Sequence, residues 1–452
     1  MDDQSSSTRG NWGSKMAFIL AASGSAIGLG NIWRFPMKVG ENGGAIFVLV
    51  YIIGVAFIGF SVMLAELIIG RHTKKNPVGA IDSIKPRTPW KLIGFLGVLT
   101  GIFILSYYSV VAGWAVGYLI KAAAGSFRGD VTSEMTDRIF TQFTSDPLLV
   151  IVFFAVMIGL TTLIISKGVK GGIERWTKIL MPALFVLITV LAVRALTLPG
   201  AGKGISFYLK PDFSLLNGKV ILFALGQAFF SLSLGMGTMI TYGSYISKKD
   251  NLVSSAGWVC FFDSMIAFLA GIIIFPTLFA IPGIAPTEGP SLVFKVLPLI
   301  FTKIPGGYLF GILFFVLLSI AALTSTISLL EVPVAYLVDE RNWSRRKASW
   351  AMGFLAFGLG IPSALSFGGW AWLTKLNVFT WVDFIFGNIS LAVGALLICI
   401  FIGYVWGARR ALEEVAFGCP RFRLHSLWVF SVKYLSPLAI LFILYFIKTI
   451  SG

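Results

Sequence analysis

Charge is what this chain lacks. Of its 452 residues only 12% are Asp, Glu, Lys or Arg, while 57% are hydrophobic. A soluble domain carries about twice that charge fraction. Only two histidines are present, His72 and His425, and both fall in loops, so no histidine-based catalytic set can form. Cysteine is scarce too: Cys260 and Cys399 lie in apolar segments and Cys419 in a basic loop. That pattern excludes a disulfide framework and has no metal-ligand spacing. A Gly-rich phosphate loop ending in Lys-Ser or Lys-Thr is missing, which argues against ATP as an energy source. The chain therefore reads as a non-enzyme with no organic cofactor. Its first apolar stretch is too long for the core of a signal peptide, and no cleavable signal is expected.

What is present is apolar length. Mean hydropathy is +0.87, and runs of about 20 apolar residues recur along the chain, as an all-α polytopic membrane protein requires. Eleven spans are predicted, at 14–37, 43–70, 90–124, 147–166, 172–194, 219–247, 252–282, 306–338, 346–366, 376–406 and 429–449. The net charge of +16 resides between spans and does not point to nucleic acid. Arg71, Lys74, Lys75, Lys85, Arg87 and Lys91 follow the second span, and Lys167, Lys170, Arg175 and Lys178 the fourth. Arg341, Arg345, Arg346 and Lys347 follow the eighth, and Arg409, Arg410, Arg421 and Arg423 the tenth. Asp130, Glu134, Asp137 and Asp146 balance the loop after the third. Positive charge marks the cytoplasmic side. The N-terminus is thus expected inside and the C-terminus outside, in the inner (plasma) membrane.

Two spans contradict their surroundings. Gly24 to Pro36 reads Gly-Ser-Ala-Ile-Gly-Leu-Gly-Asn-Ile-Trp-Arg-Phe-Pro, and Ser231 to Gly237 is similarly interrupted. Gly and Pro oppose helix continuity, and lipid tolerates open backbone only where it is buried in protein or lines a cavity. Carbonyls and amides freed there can bind a cation and a small polar solute. The breaks fall in the first and sixth spans, so spans 1–5 and 6–10 form candidate inverted halves. The division is a cytoplasmic segment 1–13, a first repeat 14–194, a second repeat 219–406 and an added span 429–449.

Those residues, with Glu41-Asn-Gly-Gly44, residues 226–237, Ile-Thr-Tyr-Gly-Ser-Tyr at 240–245, Leu-Thr-Ser-Thr at 323–326 and Ser-Arg-Arg-Lys-Ala at 344–348, resemble the neurotransmitter:sodium symporter family. The likeness runs over nearly the whole chain and is nearest in style to bacterial amino-acid members. It implies the LeuT-like 5+5 inverted-repeat fold with discontinuous first and sixth helices. It also implies a sodium-coupled symporter importing hydrophobic L-amino acids by alternating access.

The resemblance implies two sodium sites. The first would use the Ala26 carbonyl, Asn31, Ser231 and Asp263, completed by the substrate carboxylate. The second would use the carbonyls of Gly24, Ile27 and Ala321 with the hydroxyls of Thr324 and Ser325. On residue type alone, Thr324, Ser325 and Thr326 read equally as helix back-bonding groups. Asp263 departs from many relatives, which carry Asn. A carboxylate at membrane depth is a functional hypothesis by default. Tyr51, Gln227 and Ser231 match positions lining a chloride site in animal relatives, and Ala267 stands where some bacterial members have Glu. Asp263 is therefore expected to supply the fixed negative charge and make transport chloride-independent.

By the same resemblance Tyr108 meets the substrate carboxylate, with backbone amides at Gly28, Leu29 and Gly30. Carbonyls of Ala26, Phe230 and Ser231 meet its amine. Gly28 replaces the Asp of monoamine carriers, which favours an α-amino acid. Ser25, Ile104, Phe230, Ser233, Met236, Ser325 and Leu329 would line a mostly apolar side-chain subsite, although Ile104 and Leu329 read equally as core. Arg34 and Asp383 would form the outer gate, with Tyr108 and Phe230 as a lid. Arg9 and Asp339 would form the cytoplasmic gate beside Trp12 and Tyr245. Glu66 would brace the breaks, and Gly172 with Pro182 would let the fifth span unwind. Glu331 has no assigned role. Expected partners are the amino acid, sodium and the bilayer, in a monomer or weak dimer. A proton-coupled carrier using Asp263 or Glu331, an amino-acid sensor and a channel are the rival readings.

Overall fold

The computed structural model describes residues 11–129, 131–280 and 292–451, with side chains through residue 446. Arg9 and Asp130 lie outside the described residues. Helices dominate, and their starts are written into the sequence. Ser14 accepts a hydrogen bond from the Ala17 amide and opens α1, Lys15–Ala26. After a break, α2 covers Gly30–Glu41, inclined 51° to α1. Then come α3 (Ala45–Thr73), α4 (Pro89–Ala123), α5 (Pro147–Ser166) and α6 (Val169–Leu196). Asp146 caps α5 through the Leu148 and Leu149 amides, with Pro147 at the first turn; both are favoured helix starts.

The second half repeats the plan. Asn217 caps α7, Gly218–Ser231, and a short α8, Thr238–Gly243, follows after six non-helical residues. Then follow α9 (Leu252–Phe279), α10 (Gly307–Arg341), α11 (Arg345–Leu365), α12 (Ala371–Ala416) and α13 (His425–Phe446). Nine of these helices are each long and apolar enough to cross a membrane, and the bent α1–α2 pair makes a tenth. The broken α7–α8 pair falls on the sixth predicted span, although Gly218–Ser231 alone is too short to cross.

The bundle is dressed for lipid on its outside. Leu148, Val186, Val190 and Leu438 are exposed on helices of membrane length and apolar composition. Inside, α10 packs along α4, and α1 lies against α9 and α10. Polar groups concentrate there instead: Asn31, Glu66, Asp263 and Glu331 are all fully buried. This inversion, apolar out and polar in, places the two breaks at the centre of the bundle.

Candidate functional site: two helix breaks around one pocket

At the first break Ile27 is extended (φ −78°, ψ 107°) and the helical ladder stops. Local side chains take over the open backbone. Asn31 Oδ1 accepts from the Gly28 amide at 3.1 Å, and the Tyr108 hydroxyl accepts from the Leu29 amide at 2.8 Å. Gln227 Nε2 donates to the Gly30 carbonyl at 2.8 Å. A Cβ at Gly28 would collide with Ser325 Oγ and come within 2.5 Å of the Tyr108 hydroxyl, so an Asp cannot stand there without displacing both. At the second break Gly235 has φ +81°, and a Cβ would strike the Leu391 carbonyl. The Gly235 amide donates to Glu66 Oε1 at 2.7 Å. Glu66 thus reaches the second break directly.

Between the breaks lies a tight cavity of about 30 Å³, well below the ~300–1,000 Å³ usual for open ligand sites. Of the residues expected to contact substrate, Ser25, Ala26, Gly30, Ile104, Tyr108 and Phe230 line it. So do Ser231, Ser233, Met236, Ser325 and Leu329, and Gly28 joins them. Leu29 does not: it faces a second cavity of about 110 Å³ further out, with Arg34, Tyr107 and Asp383.

One wall is strongly polar. Asp263 Oδ1 accepts from Asn31 Nδ2 at 2.7 Å and from the Ser231 hydroxyl at 2.8 Å. The Tyr51 hydroxyl donates to Asp263 Oδ2 at 2.9 Å. The Ala267 side chain, one turn on, is buried and apolar. On the opposite side, Ser325 and Thr324 hydroxyls approach the Ile27 carbonyl at 3.3 and 3.4 Å. Ser233 and Ser325 both donate to the Ser25 carbonyl. Thr324 also donates to the Ala321 carbonyl at 2.9 Å, and a Cβ on Gly24 would sit 3.3 Å from Thr324 Cβ. Both donor sets are therefore oxygen-based. No group of three His, Cys, Asp or Glu that could hold a metal occurs among the described residues. Unwound backbone of this kind is what ion-coupled carriers use.

Comparison with known proteins decides the family. A sequence model described as "Sodium:neurotransmitter symporter family" matches residues 9–135 and 135–451. The chain belongs to the sodium:neurotransmitter symporter family. This symporter is 39% identical over 435 residues to the sodium-dependent transporter YhdH of Bacillus subtilis, covering 96% of each chain. It is 38% identical to a sodium-dependent transporter of Haemophilus influenzae, covering 96% of this chain and 97% of that one. The crystal structure of MhsT in complex with L-phenylalanine superposes with a TM-score of 0.89 at 45% identity, over 97% of this chain and 99% of that one. The symporter is thus a sodium-dependent membrane carrier with the LeuT-like fold, not an enzyme.

The ends of the symporter are both occupied by side chains. Outside the pocket, the Arg34 guanidinium lies 4.1 Å over the Phe230 ring, a cation–π contact. Its Nη2 donates to Asn388 Oδ1 at 2.7 Å, and Asn388 Nδ2 donates to the Asp383 carbonyl at 3.0 Å. Arg34 and Asp383 face one cavity, but Asn388 is the residue that ties them. Sequence reasoning missed it; only its position one turn beyond Asp383 could have raised it.

At the other end Trp12 Nε1 donates to the Tyr242 carbonyl at 3.1 Å and its amide to the Tyr245 carbonyl at 3.2 Å. The Gly13 amide donates to Glu174 Oε2 at 2.8 Å. Asp339 accepts from the Asn76 amide at 2.9 Å; its expected partner Arg9 is outside the described residues. Glu331 gains a role: it accepts from the Tyr245 hydroxyl at 2.7 Å and pairs with Arg345. The fifth span is wound in this conformation. Val169–Glu174 is wound as a wide helical turn that runs into Arg175–Leu196. Gly172 permits this because a Cβ would strike the Ile164 carbonyl.

Proposed function

We propose that this chain is a sodium-coupled importer of hydrophobic L-amino acids, aromatic ones included, that does not need chloride. The observation that carries this is the convergence of two helix breaks, at Ile27 and Ser233, on one pocket, with the Asp263 carboxylate behind the lining residue Ser231. A zwitterion suits it. Its carboxylate would meet Tyr108 and the amides at Leu29 and Gly30 at the start of α2, where a helix N-terminus favours anions. Its amine would meet carbonyls of Ala26, Phe230 and Ser231. Ile104, Met236 and Leu329 give its side chain an apolar berth, and Met adapts to different shapes.

Sodium is cargo in this scheme. One ion would sit among Ala26, Asn31, Ser231, Asp263 and the substrate carboxylate. A second would sit among Gly24, Ile27, Ala321, Thr324 and Ser325, whose hydroxyls would turn from donating to carbonyls to ligating the ion. Asp263 would supply the negative charge that chloride gives elsewhere. Ions and substrate shift a conformational equilibrium only by binding one state better than another. Closure of Arg34 and Asp383 would precede release of Arg9 and Asp339, and loss of the second sodium would favour inward opening. Such charged pairs at water-exposed ends are cheap to exchange, at about 0–1 kcal/mol. The repeats would be 14–194 and 219–406, with the N-terminus cytoplasmic.

The deciding experiment is reconstitution in liposomes, with binding and uptake of tryptophan, leucine and tyrosine measured in sodium and in its absence, and alanine as control. Saturable, sodium-dependent uptake is expected. Binding without uptake or counterflow would indicate a sensor, and uptake driven by a proton gradient alone would replace the sodium reading.

A further inference from the structure

A cavity of about 300 Å³, larger than the one between the breaks, lies elsewhere, between α7, α12 and α13. Its walls include Leu222, Phe223, Gly226, Phe229 and Ile443, with Asn388 as their polar member. No charged group lines it, so an amino acid's ammonium and carboxylate would find no partner there. Gly226 gives it its width: a Cβ at that position would meet nothing within 4 Å. The wall formed by α13 also carries Leu438, Leu441 and Tyr445, all exposed, on a membrane-length helix. The medium at the cavity's open side is therefore the bilayer.

Its rim is cationic. Lys38 Nζ stands 4.8 Å from the Phe223 ring centroid and Lys219 Nζ 5.9 Å. Lys38 is offset by Glu41 at 2.8 Å, leaving Lys219 as the main positive group. Lys219 and Gly226 are seven residues apart on α7, about 10 Å along the axis. A positive group at one end and an apolar slot beyond it match an anionic head on a hydrocarbon chain. Basic groups beside transmembrane helices recruit acidic lipid heads, and an apolar cavity stays dry unless an apolar group enters.

We propose that this cavity binds an acyl chain of an anionic phospholipid from the surrounding leaflet and that the lipid acts on the outer gate through Asn388. Asn388 borders the cavity on one side and accepts the Arg34 hydrogen bond on the other. A chain seated against it steadies the Arg34 clamp and slows substrate release.

The test uses the full chain in nanodiscs, with phosphatidylglycerol carrying a diazirine midway along one acyl chain and a phosphatidylcholine analogue of the same chain. Crosslinks are mapped by mass spectrometry. The wild type is expected to be labelled within 219–231 and 436–446 by the glycerol lipid and much less by the choline lipid. Gly226→Leu fills the slot and should abolish this label. Lys219→Gln, at an exposed position that leaves the core intact, should lower glycerol-lipid labelling to the choline level. Label that persists in G226L, equal label from the two lipids, or no label in this region of the wild type would overturn the site. Tryptophan release should be slower in glycerol-lipid than in choline-lipid discs for the wild type, with the difference gone in G226L. Identical release rates for the wild type would overturn the link to the gate. The release arm rests on the amino-acid reading; the labelling arm does not, so the two can fail separately.

Discussion

Asp263→Asn removes one fully buried negative charge while keeping its shape. The carboxylate receives hydrogen bonds from Asn31 at 2.7 Å, Ser231 at 2.8 Å and Tyr51 at 2.9 Å. A cation sharing Asn31 and Ser231 would stand about 4 Å from that charge. At an effective dielectric constant of about 20, the attraction is about 4 kcal/mol. At about 1.4 kcal/mol per decade, that is roughly a thousandfold in sodium affinity. The new amide also turns one acceptor into a donor, mispairing a buried group at a cost of about 1–3 kcal/mol. The assay is sodium titration of tryptophan binding to purified protein, in chloride and in gluconate, with a melting curve to confirm folding. Wild type should be indifferent to the anion. D263N should need two to three orders of magnitude more sodium in gluconate and recover partly in chloride, because Tyr51, Gln227 and Ser231 remain. Unchanged sodium affinity of D263N in gluconate, or a chloride requirement in the wild type, would refute the reasoning.

Tyr108→Phe removes the hydroxyl that accepts from the Leu29 amide at 2.8 Å and would donate to the substrate carboxylate; a hydrogen bond to a charged group is worth about 1.5–3 kcal/mol, so substrate binding should weaken roughly 10- to 150-fold in a direct binding assay. Gly235→Ala forces a side chain into φ +81° against the Leu391 carbonyl; the left-handed conformation alone costs about 1–2 kcal/mol, and the variant should melt earlier and lose uptake. Met236→Phe and Ser25→Gly should shift the ranking of tryptophan, tyrosine and leucine in competition assays in opposite directions, since one reduces and the other enlarges the pocket. Asn388→Ala removes the hydrogen bond to Arg34 at 2.7 Å; bonds to charged groups are worth about 1.5–3 kcal/mol when buried, and at this half-buried position substrate dissociation should quicken by about tenfold.

Much of this molecule is legible from residue order because membrane depth penalises backbone so uniformly. The glycine-rich stretches around Gly28 and Gly235 announce breaks, because clustered glycine weakens a helix that lipid otherwise enforces. Membrane-length hydropathy placed the spans, although Gly218–Ser231 is too short to pass alone as a crossing. What escaped was pairing across large separations. Asn388 meets Arg34 over 354 positions, and Arg345, counted as a loop charge, turns inward to Glu331. Neither follows from periodicity, because a polar residue at a helix end reads equally as solvated. Leu29 lines the outer cavity while its amide turns to Tyr108; at a break, helical spacing no longer says which way a residue faces.

The N-terminal strap has a further consequence. Trp12 and Gly13 are fastened to Tyr242, Tyr245 and Glu174, which belong to or flank two separate helices of opposite halves. Loosening one half leaves the plug held by the other. A movement confined to one half is therefore expected to leave the hydrogen bonds to the other half intact.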